Sequence, residues 1–107
     1  MEPKFEFKKR ESYRPRNERE KALVKAFKSL ESEEETAHFL RDMLTPAEIE
    51  EFANRLEIAR LLNQGRPYLD ISKKVGTSTT TVTRVAHWLF KGCGGYHSVL
   101  KKLFVNK

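Results

Sequence analysis

The chain has 107 residues, 38% of them hydrophobic and 34% charged, with a net charge of +6, a length that admits one domain with a modest core. No stretch approaches the roughly 20 apolar residues needed to cross a bilayer, and the opening MEPKFEFKKRE lacks the apolar segment of a signal peptide. The single cysteine, Cys93, excludes an internal disulfide and agrees with a reducing compartment, so a cytoplasmic protein without a membrane partner is expected.

Charge is unevenly spread. Residues 1–30 carry ten bases and five acids, residues 31–51 one base and eight acids, and residues 52–107 ten bases and two acids. Basic ends around an acidic block suit a molecule with one face turned to a polyanion.

Residues 1–13 read as a flexible N-terminal arm. Phe5 and Phe7 alternate with Glu6 and Lys8, a basic run Lys8 to Arg10 follows, and no helical stripe is present. A single domain is expected over 14–107. From Arg16 to Leu30 the spacing becomes helical, with Leu23, Ala26, Phe27 and Leu30 on one stripe and Pro15 suited to its start. Ser32 and Glu35 have capping-box spacing and predict a second helix over Glu33 to Met43. Its apolar residues Ala37, Phe39, Leu40, Met43 and Leu44 wrap more than one face, so it requires partners on two sides.

Thr45 and Glu48 repeat the capping-box spacing around Pro46 and start a long third helix. Ile49, Phe52, Ala53, Leu56 and Ala59 form one stripe, with Ile58, Leu61 and Leu62 beside it. Gly65 and Pro67 end it, and this pattern predicts the central core helix.

Arg66 to Phe90 reads as a helix-turn-helix. Leu69, Ile71 and Val75 are the apolar side of a short helix whose Lys73 and Lys74 face water. Gly76 suits a left-handed closure, and Thr77 or Ser78 suits a cap for the next helix. In that helix Val82, Val85, Ala86 and Leu89 make the buried stripe. Ser78, Thr79, Thr80 and Thr83 stay exposed near its start with Arg84 behind them, and this half of a recognition helix is the part that meets base edges. Arg66, Lys73 and Lys74 are the candidates for phosphates. After Gly92, Gly94 and Gly95, helical spacing resumes over Tyr96 to Val105. The sum is an all-α chain of six helices.

Cys93, His87 and His97 have the residue types of a zinc site, but a structural site normally takes four ligands and no fourth is evident. No phosphate-binding glycine loop or nucleophile motif occurs, so neither an enzyme, a metal nor a cofactor is expected.

The stretch MLTPAEIEEFANRLEIARLLNQG, followed by a helix-turn-helix ending TVTR, resembles the tryptophan repressor family, and within it the YerC/YecD-type branch. The likeness runs from about Leu40 to Leu103 and rests on Leu44-Thr45-Pro46, Glu48, Arg55, Ile58, Leu62, Gly65, Gly76 and Thr81-Val82-Thr83-Arg84. It implies a six-helix Trp-repressor-like fold, an intertwined homodimer, and a sequence-specific, repressor-like regulator that binds a palindromic operator in double-stranded DNA. The alternative is a helical dimeric adaptor that binds a protein partner without specific DNA recognition. In the family the corepressor indole lies between two arginines, matched here by Arg55 and Arg84, with Thr45 and Thr81 at the border of the pocket. Where the tryptophan repressor has a glycine and a serine, this chain has Val85 and Trp88. The resemblance therefore implies a pocket already filled and a small-molecule effector, if any, other than L-tryptophan. Thr81, Arg84 and Trp88 share a helical stripe, and two readings of Trp88 follow: its ring sits over Arg84, or it is a residue of the core or of a dimer interface.

Overall fold

The computed structural model describes residues 7–105. Six α-helices follow one another: α1 (Glu18–Lys28), α2 (Glu33–Met43), α3 (Pro46–Asn63), α4 (Tyr68–Val75), α5 (Thr79–Lys91) and α6 (Gly95–Leu100). The last continues as a π-helical turn over Lys101–Val105, which completes the helix expected over Tyr96 to Val105. No strand occurs among the described residues, and the fold is all-α as expected.

Local chemistry explains the starts and stops. Asn17 caps α1 by accepting from the Glu20 amide at 2.9 Å, and Ser32 caps α2 by accepting from the Glu35 amide at 3.0 Å. At α3 the Thr45 hydroxyl accepts from the Glu48 amide at 3.1 Å, while the Glu48 carboxylate accepts from the Thr45 amide at 2.9 Å. These reciprocal bonds satisfy amides that the first helical turn leaves without partners. At the other end of α3, the Arg66 amide donates to the Leu61 carbonyl and the Gly65 amide to the Leu62 carbonyl, which closes the helix as a Schellman motif.

The chain packs as two compact units, residues 13–52 and residues 53–105 with 7–12, divided within α3. The second unit holds the core. It is built by Ile58, Ala59, Leu61 and Leu62 of α3, Ile71 of α4, Val82, Val85, Ala86 and Leu89 of α5, and Leu100 of α6. In the first unit none of residues 13–52 is buried. Phe27 of α1 meets Phe39 of α2 edge to face at 5.6 Å, yet Phe27 remains 45% exposed, and Leu23 and Val24 of α1 and Met43 of α2 are exposed to a similar degree. The expectation of a central α3 holds for its C-terminal half only, because Phe52 is 48% exposed.

The N-terminal segment read as an arm is described in part. Residues 1–6, including Phe5 and Glu6, lie outside the described residues. From residue 7 onward the segment lies against the end of α5. The amides of Lys8, Arg10 and Glu11 donate to the carbonyls of Phe90, Lys91 and Gly92 at 2.9, 3.1 and 3.4 Å. Helical periodicity gives no sign of such a contact, since its hydrogen bonds are made by the main chain.

Candidate nucleic-acid interface

Hydrogen bonds of Ser72, Gly76, Thr77 and Ser78 shape the turn between α4 and α5. Gly76 takes the left-handed conformation, φ 81° and ψ 41°, and its amide and that of Thr77 both donate to the Ser72 carbonyl, at 2.9 and 3.0 Å. The Ser72 hydroxyl donates to the Thr77 carbonyl at 2.7 Å, so the turn is tied on both sides. Ser78 then caps α5, accepting from the Thr81 amide at 3.1 Å. Ile71 and Val82, both in the core, anchor the two helices from beneath.

The face left outside matches the residues picked from sequence. Arg66, Lys73, Lys74, Ser78, Thr79, Thr80, Thr83 and Arg84 are all exposed. Thr79 with Thr83, and Thr80 with Thr83 and Arg84, stand three or four residues apart and so form one patch on the helix surface. No acidic residue occurs in the first turn of α5, and Lys73 and Lys74 occupy the last turn of α4. The Ser78 hydroxyl is engaged by the amide of Thr81 and lies 3.1 Å from its hydroxyl, so this serine shapes the helix start.

Within reach of the Lys74 charge, Arg60 grips Glu57 through two bonds, Nε to Oε1 at 2.9 Å and Nη2 to Oε2 at 2.7 Å. These bonds, with the charge of Lys74 adding to them, hold the Glu57 carboxyl below the usual carboxylate range. The Arg60 guanidinium also lies 5.6 Å over the Phe104 ring, joining α3 to the end of the chain.

The residues expected around an effector divide into several environments. Thr45 uses its hydroxyl to cap α3 and belongs to the 13–52 unit. Arg55 lies near Tyr96 of α6, whose phenol is pushed up by burial and eased back down by the arginine charge. Thr81 is half-buried and Arg84 exposed. Val85 is 5% exposed and part of the core. Its three- and four-residue spacing from Val82 and Leu89 turns it inward, as the buried stripe read from the sequence has it. Trp88 is 44% exposed, which keeps it out of the core of its unit, and its ring meets His87 edge to face at 5.1 Å, where one reading of the sequence stacked it on Arg84. Among the described residues no cluster of three metal-ligating side chains occurs, and no helix is long and apolar enough to cross a membrane.

Comparison with known proteins places this arrangement. Residues 18–104 match the Trp repressor protein family, a span that extends the sequence likeness back through α2 and α1. The uncharacterized protein YerC of Bacillus subtilis (strain 168) is 37% identical over 81 residues, covering 76% of this chain and 78% of YerC. Among solved structures, a TrpR-like protein from Eubacterium eligens ATCC 27750 superposes with a TM-score of 0.78 at 35% identity, over 86% of this chain and 95% of that one. A candidate Trp repressor from Staphylococcus aureus gives a TM-score of 0.78 at 32% identity, over 86% and 92% of the two chains. With six helices in this order and a match through all of them, the chain belongs to the Trp repressor family, a family of regulators.

Proposed function

We propose that this protein is a cytoplasmic, homodimeric, sequence-specific DNA-binding transcriptional regulator of repressor type. The observation that carries the reading is the exposed face of α5. Thr79, Thr80, Thr83 and Arg84 stand free of acids on a helix held by a glycine closure and a serine cap, with Lys73 and Lys74 alongside. Hydroxyls and an arginine suit base edges in a major groove, and flanking lysines suit phosphates.

Dimerisation is supported by the 13–52 unit. Two helices that bury no residue have no core to hold them, and so small a piece is not stable alone. A second copy covering Leu23, Phe27 and Met43 supplies one, and residues 14–107 then act as one domain. A twofold dimer reads two half-sites roughly 34 Å apart.

The effector reading rests on Trp88. With Val85 in the core, the tryptophan side chain is the residue that stands where the family has a small serine, and the protein is proposed to bind DNA without L-tryptophan. Selection of duplexes from a random-sequence library, followed by footprinting, tests the central claim. A palindromic consensus is expected, whereas uniform protection indifferent to sequence would refute it and favour the adaptor reading.

A further inference from the structure

A helix of 13 residues ends with carbonyls that have no partner within the helix. In α5 two of these, at Phe90 and Lys91, accept from the amides of Lys8 and Arg10, and the carbonyl of the capping residue Gly92 accepts from Glu11. Side chains reinforce the contact at both ends of the segment. The Phe7 ring stacks on the His97 ring of α6, 5.2 Å between centroids with an angle of 11°, and His87 of α5 donates through Nε2 to the Glu11 carboxylate at 3.2 Å. Gly94, at φ 99°, leaves the room that Phe7 uses, since a Cβ there would lie 3.4 Å from the Phe7 ring. Main chain, ring and carboxylate therefore meet a seat formed by the end of α5 and the turn into α6.

We propose that residues 7–11 are a strap that completes the C-terminus of the recognition helix and fixes its pose, so that DNA affinity depends on a segment that does not itself touch DNA. The proposal rests on the DNA-binding reading given above. The strap sits at the opposite end of α5 from Thr80, about 15 Å along the axis at 1.5 Å per residue. Its basic side chains Lys8, Lys9 and Arg10 are exposed there, beside the negative end of the helix, where cations are favoured. That placement accounts for their charge without a phosphate contact.

Two variants separate a strap from a phosphate-binding arm. Lys8→Pro with Arg10→Pro removes two of the donating amides, while Lys8→Ala, Lys9→Ala and Arg10→Ala together remove the charges and keep every amide. Affinity is measured on a duplex selected by the full chain from a random library, across a range of salt concentrations, and amide exchange of α5 is measured on the free protein. The proline pair is expected to lower affinity about fivefold with an unchanged salt slope, and to speed exchange in the last turn of α5 about tenfold; the alanine triple should stay within about twofold in affinity. Phe7→Ala, which leaves the amides in place, is expected to change both readouts in the same direction by a smaller factor and guards against a folding defect in the proline pair. Unchanged exchange in α5 of the proline pair overturns the strap. So does an alanine triple whose salt slope falls by about 0.9 per lost contact, which would make the arm a phosphate ligand. If the full chain selects no duplex, the DNA-binding reading fails, and the exchange data alone decide whether the strap holds α5.

Discussion

At the scale of single residues, the turn between α4 and α5 depends on the left-handed conformation of Gly76. A Cβ added there would meet nothing within 4 Å, so Gly76→Ala incurs conformational strain without a steric clash. The expected loss is about 1 kcal/mol, the left-handed penalty less the entropy that alanine removes from the unfolded chain, read from denaturant melts. On the outer face, charge and hydroxyl should act differently. Replacing Lys73 by alanine is expected to weaken binding to all sequences alike and to lower the salt slope by about 0.9, whereas Thr80→Ala should change the preferred base and leave the slope alone. Competition binding against a set of single-base operator variants distinguishes them. Equal effects of both substitutions on every duplex would show that α5 is not the reading helix.

At the scale of elements, side-chain caps define where α1, α2, α3 and α5 start. Thr45→Ala should cost about 1 kcal/mol of stability, because its hydroxyl closes the α3 capping box. The start of α1 is pH-sensitive. Hydrogen bonds from the Arg16 guanidinium, the Tyr13 hydroxyl and the Arg16 amide hold the Glu20 carboxyl at about 2, below its ordinary 4.5. A depressed carboxylate contributes stability that is present above about 4.5 and is lost as the pH falls toward about 2. Carboxyl titration followed by NMR should place the Glu20 midpoint near 2, and Arg16→Ala should move it up toward the ordinary value. A midpoint already near 4.5 in the unaltered chain would show that the Tyr13–Arg16–Glu20 network does not persist in solution.

At the scale of the whole molecule, the proposed dimer is tested at the exposed apolar stripe of α1. Leu23→Asp would be close to neutral on a monomer's surface but places a charge in the proposed dimer core, so sedimentation should show a dimer for the parent and a monomer for the variant. Titration of the parent with L-tryptophan should give no micromolar binding and no coupling to DNA. A tenfold tightening on the operator, about 1.4 kcal/mol, would overturn the effector reading. Trp88→Ser is the converse test and is expected to gain affinity for the amino acid. Val85 is left in place in that variant, since a glycine there would open a cavity in the core and destabilise the chain for an unrelated reason.

Periodicity and capping chemistry are local, and here they were sufficient to determine six helices in order, the Ser32 and Thr45 starts, the Gly76 corner and the exposed Thr79, Thr80, Thr83 and Arg84 face. A helix that obeys its own 3.6-residue repeat shows its water-facing side in the sequence, and the comparisons agree with the family that those same residues suggest. Tertiary structure decided the remainder. Which part of the long α3 is buried depends on what packs against it, and full burial begins only at Ile58, in the core shared with α4, α5 and α6. The Trp88 ring met the neighbouring His87, a contact that the helical repeat does not choose. The N-terminal segment came to rest on α5 through main-chain amides, which every residue except proline carries and which therefore leave no mark in the order of side chains.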